Sequence, residues 1–286
     1  MTTLVPNARG PKLFPFDGDV TNAQFIRILN ADEGNEGHSR VFQVLLNKKR
    51  YAVKIFKFFK LDDIRPDFFM EEHVISDNVI RHHLDPFFAE CRAFGLLVKE
   101  GKDDKLAVRC HGYLYLPGSV EQRIEQQFGI YDWNRTQEDN NKPLRAIVKD
   151  YIRYKSFDKP SNFAIMRDKV EKLNNMGIYN MDVRKENYLA GRLFDFSVAI
   201  TIPHLSFSMD FRTQAQILED SQYDLICFNA MTKRAIEQDD SKKKGRWMNL
   251  RSLSKKEDSR QESNQAKSEP LSKNIRSRSR KSNSKK

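Results

Sequence analysis

The chain of 286 residues is long enough to bury a core, and its 39% hydrophobic content indicates a globular protein rather than a disordered one. No apolar run approaches the ~18 residues of a membrane span, so we expect no membrane partner. The three cysteines are odd in number and widely spaced, which excludes a closed disulfide framework and a cysteine zinc site.

The net charge of +11 is concentrated in one segment. Residues 241–286 contain 16 Lys and Arg against 4 Asp and Glu, whereas residues 1–240 contain 34 against 35. Because this segment is also poor in apolar residues, we expect a disordered basic tail. Its basic clusters can act as nuclear-import signals or contact nucleic-acid phosphates without sequence preference, and a purely solubilising tail is the alternative. The first interpretation predicts residence in the nucleus.

Short apolar runs and turn signals predict an α+β body between residues 22 and 240. Strands are predicted at residues 25–32, 40–47, 51–59, 105–117 and 144–152, with a hairpin turn at 47–50. Residues 61–85 carry no clear pattern. Helices are predicted at residues 86–101, at 161–177 with Ser161 as N-cap and Gly177 as the stop, and once or twice within 211–238. A tight hairpin is predicted to turn at Ala190 and Gly191.

Four short motifs resemble the machinery of two-lobed protein kinases. Such enzymes use a strand Lys held by a helix Glu, a loop Asp with an Asn that binds metal, and a second metal-binding Asp. The matching segments here are YAVKIF with Lys54, FFAECRAFGLL with Glu90, NMDVRKEN with Asp182 and Asn187, and LFDFS with Asp195. Each motif alone is weak evidence, but the four stand in the kinase order. The resemblance implies ATP and Mg²⁺ as cofactors, with Lys54 and Glu90 at the nucleotide, Asp182 as catalytic residue, and Asn187 and Asp195 as metal ligands.

This resemblance predicts a two-lobed, protein-kinase-like fold with a shortened C-terminal lobe. Residues 1–21 would be an N-terminal extension, residues 22–152 a sheet-rich N-lobe-like region, and residues 153–240 a helical C-lobe-like region. The disordered basic tail would occupy residues 241–286. The C-terminal lobe is expected to be short because only about 45 residues separate the Asp-Phe pair from the tail and no Ala-Pro-Glu segment follows.

Other positions depart from an active kinase. The expected glycine-rich loop reads EGNEGHSRV, where Gly34 and Gly37 are candidate phosphate-binding residues but Glu36 would repel a phosphate. Asn180 and Met181 replace the His-Arg pair that braces the loop before the catalytic Asp. These changes favour a protein that does not transfer phosphate.

Each candidate residue also has a purely structural interpretation. Lys54 and Glu90 either form a buried ion pair or remain solvated on a strand and a helix. Asp182 and Asn187 either hold a metal or close a tight loop, as Asp and Asn commonly do. The sequence leaves both interpretations open.

The segment DWNR, residues 132–135, is not part of the kinase pattern. Trp133 beside Arg135 has the composition of an exposed interface hot spot. An Asp-Asn turn anchored by a buried Trp is the alternative.

Several longer stretches form a second pattern: YAVKIFKFF, DPFFAECRAFGLL, LAVRCHGYL, YDWNR, RAIVKDYI and NYLAGRLFDFSVAITIPH. Together they resemble a fungal family named for an Fta-type inner-kinetochore subunit. The resemblance covers about residues 22–210 and is most specific in residues 85–97 and 182–204. It implies a kinase-like fold and protein partners in a kinetochore or chromatin complex. In that family a basic residue usually precedes the Asp that aligns with Asp182, and Met181 departs from this pattern.

Three functions are therefore compatible with the sequence. The leading hypothesis is a nuclear pseudokinase scaffold of a kinetochore or chromatin complex, with a tail that touches nucleic acid. The alternatives are a small atypical ATP-dependent kinase and a module that binds ATP without transfer.

Overall fold

The computed structural model describes residues 9–30, 37–61, 75–153 and 160–265. The chain divides into two units, residues 1–233 and residues 234–286. The first unit mixes strands and helices, which confirms the predicted α+β class. Within the described residues, no helix has the length and apolar character needed to cross a bilayer.

A five-stranded antiparallel sheet is the centre of the first unit. Its strands lie in the spatial order β1-β2-β3-β5-β4 and are β1 (Gln24–Ile28), β2 (Ser39–Leu46), β3 (Lys49–Phe56), β4 (Cys110–Leu116) and β5 (Leu144–Asp150). The hairpin turn between β2 and β3 is confirmed: Asn47 and Lys48 both have positive φ, 49° and 64°, as a two-residue hairpin turn that follows the strand twist requires.

Six helices and four short strands complete the described part of the chain. The helices are α1 (Asp77–Leu84), α2 (Pro86–Lys99), α3 (Asp103–Leu106), α4 (Gly118–Phe128), α5 (Phe163–Asn175) and α6 (Gln214–Gln265). The short strands are β6 (Ile178–Tyr179), paired with β9 (Ile200–Thr201), and β7 (Tyr188–Leu189), paired with β8 (Arg192–Leu193). The tight hairpin at Ala190 and Gly191 is confirmed, with φ of 49° and 68°.

Two predicted element starts are wrong. The strand expected from Lys105 begins only at Cys110, because the acidic first turn at Asp103 and Asp104 starts the short helix α3. Ser161 is not the N-cap of α5, since it lies in a 3₁₀ turn and Asn162 takes the cap position without a side-chain cap bond. The helix stop at Gly177 is confirmed by its φ of 78°, which places it in the left-handed region.

The tail is not disordered from residue 241 onward. Helix α6 is one continuous helix from Gln214 to Gln265, longer than the one or two helices predicted within residues 211–238. Lys, Arg, Glu and Gln are good helix formers, so a segment that cannot build a core can still form a helix. Residues 266–286 lie outside the described residues.

The two faces of the sheet differ in chemistry, because alternate residues of a strand point to opposite sides. The first, here called the apolar face, forms one core cluster with α4 and the segment after α4. Val120 and Ile124 of α4 and Trp133 of that segment pack into the cluster. The second, here called the charged face, carries Lys54, Arg145 and Lys149 and is covered by α2. The members of the apolar face are Phe42, Val44, Val53, Ile55, Leu116, Leu144, Ala146 and Val148.

Candidate functional site

Helix α2 is fixed over the charged face by its own N-terminus. Asp85 caps the helix, with its side chain accepting a bond from Phe87 N at 3.0 Å, and Pro86 occupies the first turn. The same carboxylate pairs with Arg145 of β5. Phe87 packs edge-on against Phe56 of β3, with ring centroids 5.6 Å apart. These contacts orient the next turn of α2, which carries Glu90, toward the sheet.

The structure brings Lys54, Glu90 and Asp195 together. Lys54 Nζ lies 2.8 Å from Glu90 Oε2 and 2.7 Å from Asp195 Oδ1, so the ion-pair interpretation of Lys54 and Glu90 is correct. Burial opposes the charged form of Lys54, but the carboxylates of Asp195 and Glu90 outweigh it and raise the Lys54 pKa. Burial likewise opposes ionisation of Asp195, yet Lys54 and Lys149 hold its pKa well below its ordinary value. Lys54 and Asp195 are therefore both charged at neutral pH.

Lys149 is the member that sequence reasoning missed. Its ammonium lies 2.5 Å from Glu90 Oε1 and donates to Phe194 O at 2.7 Å. A signal was present, because Lys149 directly follows the apolar residues Ala146, Ile147 and Val148 in β5. A lysine that interrupts a buried strand indicates an internal carboxylate partner, since unpaired charges are almost never buried.

Asp182 and Asn187 close a loop on each other. Asn187 Nδ2 donates to Asp182 O at 2.9 Å and to Asp182 Oδ2 at 2.8 Å. Arg184 Nη2 lies 3.2 Å from the same Asp182 oxygen. The two residues thus make the tight-loop contacts that their structural interpretation predicted.

The loop before Asp182 is braced by other residues, although the His-Arg pair of kinases is absent. Asn180 Nδ2 donates to Asp195 O at 2.6 Å, and Asn180 Oδ1 accepts from Asp182 N at 3.2 Å. From α6, buried Asp224 accepts Asn180 N at 2.7 Å and Met181 N at 2.8 Å. Burial raises the pKa of Asp224 to about 6, against the opposing effect of these two N–H groups. A side-chain amide and a distant helix carboxylate replace the missing residues.

Asp195 is engaged at one oxygen by three donors. Besides Lys54, Asp195 Oδ1 accepts from Ser197 N at 2.9 Å and from Ser197 Oγ at 2.7 Å. Ser197 stands where a kinase carries Gly, and its hydroxyl adds the third donor. Phe196 is fully buried and packs edge-on against Phe94 of α2, with centroids 5.1 Å apart.

The arrangement does not fit Mg²⁺ and ATP as it stands. Asp195 Oδ1 is already shared among Lys54 and Ser197, and both oxygens of Glu90 hold ammonium groups. Where the structure describes the chain, it places no group of three His, Cys, Asp or Glu side chains able to hold a metal. The Lys54 side chain is only 2% exposed between its two carboxylates, which leaves a phosphate little access to it. The site therefore resembles a completed ion-pair network rather than a ligand-ready one.

The two glycine candidates do not contribute described contacts. Gly34 lies outside the described residues. Gly37 is described and precedes β2 by two residues.

The segment DWNR is a turn anchored by buried Trp133, so its interpretation as an exposed hot spot is wrong. Trp133 is 1% exposed within the cluster of the apolar face. Asp132 Oδ1 accepts from Asn134 N at 3.0 Å, and Arg135 forks onto Glu121 with bonds of 3.2 and 2.6 Å. Trp133 anchors the covering segment to the sheet.

The fold and the site define a mixed α+β protein whose buried lysine pair is matched by two carboxylates. Residues 2–200 match the sequence model of the family described as kinetochore Sim4 complex subunit FTA2, and the chain belongs to that family. The match includes Lys54, Glu90, Asp182 and Asp195 and ends before α6. No curated protein matches the chain.

Proposed function

We propose that this chain is a subunit of a kinetochore protein complex, where a kinase-like framework serves as a scaffold and transfers no phosphate. The family description supports the kinetochore role and, with it, residence in the nucleus and protein partners. In this proposal, residues 22–152 form the N-terminal lobe and residues 153–240 form the C-terminal lobe.

The kinase-like part of the proposal rests on the order and placement of the motifs. Lys54 lies on the third strand, Glu90 on the helix that covers it, and Asp182 with Asn187 in a loop before a short hairpin. Asp195 follows that hairpin and reaches Lys54. A Lys held by a helix Glu, together with the second Asp, is the pairing that kinases must assemble.

One observation supports the absence of phosphate transfer: Lys54 forms ion pairs with both Glu90 and Asp195. A lysine that serves phosphates must be accessible to them, whereas Lys54 is 2% exposed and holds two carboxylates at 2.8 and 2.7 Å. Both carboxylates are in turn held by other donors, so the network is stable without a ligand. A scaffold needs a rigid body of this kind and no turnover.

An ATP-binding module, or a small atypical kinase, is the second candidate because two of the carboxylates are not fully enclosed. The side chains of Asp182 and Asp195 are 36% and 24% exposed. Nucleotide could reach them if Lys54 moved away from Asp195.

The basic segment after residue 240 supports a further contact with nucleic acid. Its 16 Lys and Arg against 4 acidic residues favour phosphate contacts that are insensitive to sequence and weakened by salt. Such contacts would keep the subunit close to chromatin.

A thermal-shift titration of the full chain with millimolar ATP and Mg²⁺ tests the proposal, with Asp195→Asn measured beside it. We expect no rise in Tm for the wild type. A nucleotide at ~100 times its Kd would add about 2.7 kcal/mol to stability. A rise in the wild type that Asp195→Asn loses would reject the scaffold and favour the ATP-binding candidates.

The kinetochore role has its own test. A fluorescent fusion of the full chain should co-localise with a kinetochore marker in dividing cells, and a fusion of residues 1–240 should separate the body's contribution from the basic segment's. A signal spread evenly through the cell would contradict the proposed role.

A further inference from the structure

Lys149 has no counterpart among the four kinase-like motifs, yet it lies at the centre of the site. In the register of β3 and β5, Lys54 pairs with Ile147 and Ala52 pairs with Lys149. The two lysines are therefore diagonal neighbours on the same face of the sheet, a spacing that long side chains bridge easily. Both can reach one carboxylate on the helix above.

Glu90 is that carboxylate, and each of its oxygens takes one lysine. Lys54 Nζ lies 2.8 Å from Oε2, and Lys149 Nζ lies 2.5 Å from Oε1. Lys149 also donates to Phe194 O at 2.7 Å, the carbonyl directly before Asp195. Lys149 thus contacts both Glu90 on α2 and the backbone directly before Asp195.

The charges in this cluster balance. Two ammonium groups, Lys54 and Lys149, face two carboxylates, Glu90 and Asp195. The side chains of both lysines and of Glu90 are at most 4% exposed, so an unmatched charge here would be costly. Without Lys149 the cluster would carry one excess negative charge, which would attract a metal cation. With Lys149 in place, a divalent cation would bring two unmatched positive charges into the same space.

We propose that Lys149 is a positioning residue that takes the place of a metal ion: its ammonium supplies, from within the chain, the positive charge that Glu90 and Asp195 would otherwise draw from a divalent cation. This inference rests on the proposed scaffold function, because it explains how the site keeps its shape without ligands. Removal of the Lys149 charge should create an affinity for metal that the wild type lacks.

Manganese chloride without nucleotide is the probe, added to full-length protein and followed by Tm and by the electron paramagnetic resonance signal of free Mn²⁺. The wild type should show no change at millimolar Mn²⁺. Lys149→Met keeps the length of the side chain and removes its charge. Its Tm should rise by about 3 °C or more with Mn²⁺, a shift of the size that binding well above Kd produces.

Two further variants separate charge balance from a general effect of losing a lysine. Lys172→Met removes an exposed lysine that also pairs with a carboxylate, Asp168 at 2.6 Å, and should behave like the wild type. The double variant Lys149→Met with Glu90→Gln restores neutrality, because Lys54 then faces Asp195 alone. It should lose the Mn²⁺ response.

Each outcome decides the proposal. If Lys149→Met folds and binds Mn²⁺ no better than Lys172→Met, the proposal is wrong. If Lys149→Met does not fold, the double variant decides: a folded double variant supports charge balance, and an unfolded one shows that Lys149 is needed for more than its charge. A wild type stabilised by ATP and Mg²⁺ would overturn the scaffold function, whereas the Mn²⁺ comparison would still decide the role of Lys149.

Discussion

The two faces of the central sheet are both buried, but different forces hold them. The apolar face is covered by Val120, Ile124 and Trp133, and other apolar side chains of similar volume can contribute there. The charged face is covered by α2, and its contacts are ion pairs of Lys54, Lys149 and Arg145 with Glu90, Asp195 and Asp85. A buried ion pair stabilises only while both partners are present. The charged face should therefore be intolerant of even isosteric substitutions, and four experiments examine this contrast.

The largest effect is expected for Glu90→Gln, which keeps the shape of the side chain and removes one charge. Lys54 and Lys149 would then face a single carboxylate, Asp195, so we expect a loss of about 3–5 kcal/mol in the free energy of unfolding. Urea denaturation of the wild type and the variant measures it. Glu171→Gln, which breaks an exposed pair with Arg167, is the control and should cost only a few tenths of a kcal/mol. Equal losses in the two variants would contradict the contrast between the faces.

On the apolar face, Trp133→Ala should cost about 3 kcal/mol through the cavity that it leaves. We expect the lower end of the usual range, because Trp133 Nε1 is buried without an acceptor among the described residues, and its removal recovers part of that penalty. The matched control is Tyr131→Ala, two residues earlier and 78% exposed. A Trp133→Ala variant as stable as Tyr131→Ala would restore the exposed hot-spot interpretation.

The histidines near Arg92 of α2 predict that the stability of the protein depends on pH. Arg92 of α2 donates to Thr201 O at 2.6 Å and lies 2.6 Å from His82 Nε2, while His83 and His204 stack edge-on with centroids 4.7 Å apart. Burial first, then neighbouring positive charge, lowers the pKa to about 4 for His82 and about 2 for His83. Burial, and more weakly Arg92, also lowers the pKa of His204 to about 4. All three imidazoles are therefore neutral at pH 7.

Because the ordinary histidine pKa of 6.5 exceeds these folded-state values, the unfolded chain binds more protons between pH 6.5 and about 4. Stability should fall as the pH falls through that window. Asp224 opposes part of this loss, since its folded-state pKa of about 6 lies above its ordinary 3.8. Unfolding curves at successive pH values measure the slope, and His204→Gln should flatten it. An unchanged slope in that variant would exclude His204 as a contributor.

The smallest effect is expected for Ile55→Val, the apolar counterpart of Glu90→Gln. Ile55 is fully buried beside Lys54 in the chain but points to the opposite face. Loss of one methylene should cost about 0.5–1.5 kcal/mol by urea denaturation. If this change cost as much as Glu90→Gln, packing rather than charge matching would govern both faces.

The sequence by itself determined the local features of this protein. Alternation and turn chemistry located the five strands, the turns at Asn47 and Ala190, and the extent of α2, because these depend on residues close together in the chain. The four kinase-like motifs also revealed Lys54, Glu90 and Asp195 as neighbours of one site. The sequence pattern predicted the wrong start for β4 and the wrong N-cap for α5, because several neighbouring polar residues could begin or cap an element there.

Only the tertiary structure decided which charges meet. Glu90 is 36 residues from Lys54 and 59 from Lys149, and Asp195 is 141 residues from Lys54. The apolar residues before Lys149 indicate that this lysine is buried and paired, but they do not indicate which carboxylate it meets. The same limit applies to Trp133, whose burial depends on a sheet face formed by distant strands. Local conformation follows from nearby residues, whereas the partner of a buried charge depends on which distant segments folding brings together.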